Sequence, residues 1–452
     1  MADRLTRTLK GWKGPSRVVT PEQFGYKNDG SKATAAIQRA IDACAKQGGG
    51  TVRLSQGDYV SGTIDLRSGI RLEVAKGARL LGSTELADYP QRLAKRPTVM
   101  DSNMGMNQSL IFAIGCENIS IAGQGLIDFR GTHENFPGEQ TKVATPGRPF
   151  GIRILDCKNV HIKDITLKDA ACWMQNYLNC DDVLVEGITV HNQANWNNDG
   201  LDIDSCRRVI VRNCLINAED DALCFKGAGM LTTEEVLIEN CRFYSSCNSL
   251  KFGTDSQGGF RKVLVRNIEC GGIPEELRTF RRKFADSAIS WETVDGCTLE
   301  DIYAHDIKIE RCDSPLFLRL GDRGRTRPEL PRPRPGEIRR VVFENISGQN
   351  NGSRGSYFIG VNDRRIEDVV LKNVDLKMRG TTESAPLEST IGELPADYPD
   401  TKMIGPLAPA FGLWTRHIER LTLINVRFST EGPDKRPMLK VDTDSLGVTI
   451  LS

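Results

Sequence analysis

Six carboxylates crowd one short stretch of this chain. The segment 195–227, NWNNDGLDIDSCRRVIVRNCLINAEDDALCFKG, holds Asp199, Asp202, Asp204, Glu219, Asp220 and Asp221. Acids this close raise one another's pKa, which is what a general acid working near neutral pH requires. Two carboxylates that flank a sugar bond are the machinery of glycoside hydrolysis. Asp202 and Asp204 also suit plain turn positions, because Asp and Asn hydrogen-bond their own backbone there. A second pair, Asp181–Asp182, has no convergent partners in sequence.

For distant acids to meet, the chain must stack them, and the sequence carries a repeat that does so. A polar pair, alternating apolar residues, then Asn, Gly or Asp, then a second apolar run recurs along most of the chain. Copies include KNVHIKDITL from Lys158, DDVLVEGITV from Asp181, RRVIVRNCLI from Arg207 and RKVLVRNIEC from Arg261. Later copies include RRVVFENISG from Arg339, EDVVLKNVDL from Glu367 and ERLTLINVRF from Glu419. The periodicity is two, not 3.6, so helical repeats fail. LxxLxL spacing is absent, which excludes leucine-rich repeats. The reading is all-β: one parallel β-helix whose coils bury Val, Ile and Leu by stacking. Equivalent positions on successive coils then lie about 4.8 Å apart. Asp199 and the Asp220–Asp221 pair, about one coil apart, converge on one patch, with Lys226 and Lys251 approaching the same face.

The residues 33–50 form the clear amphipathic helix, with Ala36, Ile37, Ala40, Ile41 and Cys44 as its apolar stripe. It is expected to cap the first coil. Residues 1–18 read as an N-terminal extension and 19–452 as the β-helix domain. Two stretches, 323–337 and 381–400, read as insertions, the first a long exposed loop. Thirteen cysteines do not cluster as CxxC pairs, which argues against zinc and for small buried residues in a repetitive core.

The 60 Lys and Arg balance 59 Asp and Glu, so no basic field holds nucleic acid or an anionic membrane. No apolar run approaches the roughly 18 residues of a membrane span. The five histidines show no metal spacing. No metal and no cofactor is expected, the partner is a carbohydrate, and capped coil ends favour a monomer.

The acidic segment resembles glycoside hydrolase family 28, the polygalacturonase-like enzymes. Their Asn-Thr-Asp-Gly and Gly-Asp-Asp signatures read here Asn197-Asn198-Asp199-Gly200 and Glu219-Asp220-Asp221. Supporting stretches run from Phe24, Gly48 and Gly123, and from Arg148 to Trp173. The resemblance implies a right-handed β-helix and inverting hydrolysis, with Asp220 as the acid and Asp199 and Asp221 activating water. It also implies export to the periplasm or beyond. The chain as given begins without a leader, which fits cytoplasmic cleavage of imported oligosaccharides too.

Two family motifs differ. Gly-His-Gly aligns with Cys247-Asn248-Ser249, so Asn248 replaces the histidine. Arg-Ile-Lys aligns with Ser290-Trp291-Glu292, so both cations that grip a uronate are gone. A bare Glu292 would repel a uronate, so the expected substrate is pectic or related but not plain polygalacturonate. The expected substrate-binding set is Asn198, Lys226, Asn248, Lys251, Trp173, Trp196, Trp291, Glu292, Arg319 and Arg323. Trp291 would stack on a pyranose, and Arg319 or Arg323 would replace the lost cations. A polysaccharide lyase on the same fold, with a lysine base, and a non-catalytic glycan-binding solenoid are the competing readings.

Overall fold

Alternation of apolar and polar residues becomes short parallel strands in the computed structural model, which describes residues 1–96, 98, 107–138, 147–279 and 284–451. The chain divides into two compact units: 1–220 with 235–237, and 221–234 with 238–452.

In the first unit each coil carries three short strands. One coil is Phe150–Leu155, Lys158–Lys163 and Thr166–Lys168. The next is Gln175–Leu178, Asp181–Glu186 and Thr189–Asn192. Leu201–Asp204, Arg207–Arg212 and Leu215–Ala218 follow. Pairing is parallel and in register: Val160 faces Val183, which faces Val209, while Ile162 faces Val185, which faces Val211. All six side chains are buried, so each coil completes the burial of its neighbour. This is a parallel β-helix. Asp181 and Asp182, left without partners in sequence, meet Arg207 at 2.8 Å and Arg208 at 2.6 Å on the next coil.

In the second unit the second and third strands merge into long ones: Phe260–Gly272, Thr298–Glu310, Glu337–Asn351, Ile366–Met378 and Ile418–Thr430. Each bends at left-handed residues five apart, such as Asn345 (φ 57°), Asn373 (φ 53°) and Asn425 (φ 51°). Asn tolerates this conformation because its short amide bonds locally. Here the amides also link coils: Asn345 donates to Asp306 at 2.9 Å, Asn373 to Asn345 at 3.0 Å, and Asn425 to Asn373 at 3.0 Å.

The helix expected over 33–50 spans Thr34–Lys46, and its buried residues are the five of the predicted stripe. Glycines 48 and 49 stop it at positive φ. A second helix, Ala2–Thr8, was not expected; it is short and buries Leu5. The backbone N–H of Trp12 then bonds His161 Nδ1 at 3.1 Å, so His161 is structural. All thirteen cysteines are free and twelve are buried. Among the described residues no helix is long and apolar enough to cross a membrane.

Strand parity decides which side chains reach the site. In the second unit Lys251 pairs with Ser290, Ser290 with Phe317, Phe317 with Tyr357, and Tyr357 with Trp414. This column faces outward. Its neighbours of opposite parity, Phe252, Trp291 and Leu318, form an inward column. Ile162→Ala is expected to destabilise the protein by about 2–5 kcal/mol, since the side chain is deeply buried between coils. Chemical denaturation read by circular dichroism checks it.

Candidate active site

The first unit builds an asparagine-rich loop between Asn192 and Asp199. Asn192 accepts a bond from the Ala170 N–H at 2.9 Å and donates to the Asp199 carbonyl at 2.8 Å. The Met174 N–H also donates to that carbonyl, at 2.9 Å. Both bonds hold the Asp199 backbone against the preceding coil. Asn198 is 0% exposed. Its amide accepts from the Ala194 and Asn195 N–H groups and donates to the Ala170 and Cys172 carbonyls at 2.8 and 2.9 Å. All its bonding capacity goes to the loop, so Asn198 shapes the site rather than binding substrate, contrary to expectation.

Asn197 stands at φ 55°. It donates to Asp220 Oδ2 at 3.4 Å, and the Asp220 N–H donates to the Asn198 carbonyl at 3.4 Å. Asp220 is partly exposed, whereas Asp199 is buried. Arg148 was not singled out from sequence. Its guanidinium donates to the Trp196 carbonyl at 2.6 Å and to Asn197 Oδ1 at 3.0 Å. Nothing in its own segment marks it, because its partners lie 48 and 49 residues away. Trp173 is buried and packs edge-on against Phe150, with centroids 5.3 Å apart, so it is a wall; Trp196 is partly exposed.

The second unit begins at Asp221. Asn248 donates to Asp221 Oδ1 at 2.7 Å, and Lys251 Nζ lies 3.1 Å from Oδ2. Ser287 Oγ donates to Asn248 Oδ1 at 2.7 Å, which fixes the amide's orientation. Asn248 and Lys251 therefore hold an acid. Burial pushes the Asp221 carboxyl up, but the Lys251 and Lys226 ammonium groups and the Asn248 amide overcome it. Asp221 sits below the usual carboxylate range and is ionised at neutral pH. Burial pulls Lys251 down, and Asp221 and Tyr398 hold it well above its usual value. Lys226 Nζ contacts Cys224 Sγ at 3.3 Å.

Three expected contacts are corrected by parity and packing. Trp291 points inward and is 0% exposed; it stacks on Phe343 at 4.8 Å and meets Phe252 edge-on at 5.4 Å. A sugar does not reach it. Arg319 is buried and spends its guanidinium on the Gly360, Glu393 and Leu394 carbonyls at 3.2, 2.9 and 2.7 Å. Arg323 is tied to Asp295 at 2.5 Å and to the Thr254 carbonyl at 3.1 Å. Neither arginine supplies a cation to the site. Glu292 points outward but is 1% exposed. Ser290 Oγ donates to Glu292 Oε1 at 2.5 Å, while Oε2 has no hydrogen-bond partner among the described residues. Burial pushes this carboxyl up to about 8 against the pull of Lys251.

Comparison with known proteins shows what this chain is similar to. The family described as glycosyl hydrolases family 28 matches residues 44–263. An exo-poly-alpha-D-galacturonosidase of Dickeya chrysanthemi is 27% identical over 303 residues, 56% of this chain and 50% of that one. A probable polygalacturonase of Vitis vinifera is 26% identical over 263 residues, 54% and 53% of the two chains. This chain thus spans about half the length of these curated relatives. An exopolygalacturonase structure from Thermotoga maritima superposes with a TM-score of 0.68 at 20% identity, covering 92% of this chain and 94% of that one. That likeness shows the fold, a right-handed parallel β-helix. The sequence match to glycoside hydrolase family 28 thus covers residues 44–263, and the likeness in fold extends along most of the chain.

Two stability outcomes follow from this geometry. Trp291→Ala costs about 3–5 kcal/mol in denaturant unfolding, as for a large core aromatic. A substrate platform at the surface would cost far less. For Glu292 the folded pKa lies above the ordinary 4.5. The stability it contributes is complete below that value and is lost as pH rises to about 8. Glu292→Gln is therefore expected to flatten the fall in melting temperature between these limits, with the variant the more stable at pH 8. Differential scanning fluorimetry across pH reads it; parallel profiles for the two proteins would exclude a protonated Glu292.

Proposed function

We propose that this protein is an inverting glycoside hydrolase that cleaves a pectic glycan. Asp220 protonates the leaving oxygen, and Asp199 and Asp221 activate the attacking water. The observation that carries the reading is the state of Asp221. Lys251 at 3.1 Å and Asn248 at 2.7 Å keep it ionised, ready to take a proton from water. Asp220, next in the chain, is partly exposed and reachable by a glycosidic oxygen. The relatives named as polygalacturonases support a pectic substrate.

The charges of the second unit favour a sugar without a free carboxylate beside the strand Ala285–Thr293. Ser290 and Glu292 stand where the family has cations, and Glu292 is neutral at pH 7. The neighbouring cations are already engaged: Lys251 with Asp221, Lys402 with Asp286 at 2.5 Å, and Arg323 with Asp295. To bind any of these three cations a uronate would have to break an existing pair. The same pairing argues against a lyase, because a Lys251 held protonated is no base.

A panel of polygalacturonate, a xylose-branched galacturonan, arabinan and galactan tests this, run beside Asp220→Asn. Reducing sugar is expected from a pectic glycan, with plain polygalacturonate the poorer substrate. Asp220→Asn is expected to lose at least about a hundredfold in kcat, the lower end for removing a general acid. Efficient release from polygalacturonate would overturn the subsite reading. Products absorbing as unsaturated sugars would replace the hydrolase with a lyase.

A further inference from the structure

The insertion after the strand Ile366–Met378 is not a free loop. Its residues 387–410 lie on the outward column of the second unit's sheet. Ile404, Ala408 and Ala410, with Ile391 and Met403, pack on Phe317, Tyr357 and Trp414 in one apolar cluster. Side chains of the sheet then capture its backbone. Arg416 donates to the Glu388 and Ile391 carbonyls, both at 2.9 Å. Arg319 takes the Glu393 and Leu394 carbonyls, and Tyr357 and Arg354 take that of Thr401. The insertion is thus a strap, fixed along its length by apolar contacts and by buried donors.

Its leading edge reaches the acid site. The Tyr398 hydroxyl lies 3.5 Å from Lys251 Nζ, the same ammonium that grips Asp221. Lys402 pairs with Asp286 close by. Tyr398 is 56% exposed, so its ring is open to solvent while its hydroxyl touches the site's cation. From Lys251 to Trp414 the outward column spans four strand spacings, about 19 Å at 4.8 Å each. The strap occupies the face on that side.

We infer that the strap is an end wall, so that the enzyme removes sugars from one chain end, with Tyr398 as the surface the terminal sugar meets. A linear glycan lying across the sheet in front of Asp221 has no open face to follow past Lys251. A chain end needs none. An exposed aromatic ring suits the apolar face of a pyranose. This rests on the hydrolase reading above, since it describes how a bound glycan lies at that site.

The test follows product size and viscosity with the pectic glycan that the panel identifies. Wild-type protein is expected to release one small sugar from the first time points while viscosity hardly falls. Tyr398→Ala is expected to raise KM about tenfold on the shortest accepted oligosaccharide, and Tyr398→Phe, which keeps the ring, to raise it far less. Ile391→Ser with Ile404→Ser loosens the strap's anchor without touching the acids. It is expected to add longer oligosaccharides to the products, and the wild-type pattern alone guards against a variant that misfolds. A rapid viscosity drop with mixed oligosaccharides from wild type would overturn the end wall and leave the hydrolase intact. No release from any glycan would overturn the hydrolase reading and the end wall with it.

Discussion

In-register parallel pairing between coils is the constraint on which everything else in this protein depends. It places Val160, Val183 and Val209 in one buried column and lets each coil bury what the previous one leaves open. It also sorts every strand residue to one of two faces. Lys251 and Ser290 go outward by that parity, and Phe252 and Trp291 inward. The chemistry of the site is therefore a consequence of ladder register before it is a matter of residue type. Corners obey the same constraint: a left-handed residue at the bend returns the chain in register, and where it is Asn345, Asn373 or Asn425 its amide bonds the Asn or Asp of the neighbouring coil.

The charges in the second unit show what burial does once parity has set them face to face. Asp221 and Glu292 are both buried carboxyls, yet their environments push them apart. Asp221 has an ammonium and an amide on its two oxygens and stays ionised. Glu292 has one hydroxyl on one oxygen and, among the described residues, no hydrogen-bond partner on the other, so burial keeps its proton on. An ionised carboxylate left without partners costs several kcal/mol in a dry site, and neutralising it is the cheaper solution. The two acids thus end in opposite states, Asp221 ionised and Glu292 protonated. Ser290 and Glu292, which align with cations of the family this sequence resembles, are both buried.

Long-range packing fixes an apparent insertion in place. The strap is polar and irregular in sequence, yet it is held by Arg319, Arg354 and Arg416 through its own carbonyls. Backbone that leaves regular structure must still find hydrogen-bond partners when covered. These arginines supply them. That is why Arg319 is not a ligand for substrate: its guanidinium holds the strap at the Glu393 and Leu394 carbonyls and the sheet at the Gly360 carbonyl.

The sequence by itself determined the repeat, the helix stripe from Ala36 to Cys44, and the acids Asp199, Asp220 and Asp221 as the place to look. These are local signals, carried by period and by residue type. Lys251 was legible as a neighbour of the acids, one coil on, because strand spacing converts sequence distance into spatial distance. Trp291, Asn198, Arg319 and Arg323 read as substrate contacts, and packing gave them other work. A tryptophan at the surface and one in the core look alike until strand parity is known. An asparagine beside a candidate catalytic acid looks like a ligand until its four bonds are counted. Arg148 and Tyr398 were invisible, since the partners of one lie 48 and 49 residues away and that of the other 147. Only the tertiary structure decided these roles, because burial and hydrogen bonding depend on which residues the coils bring together across long stretches of chain.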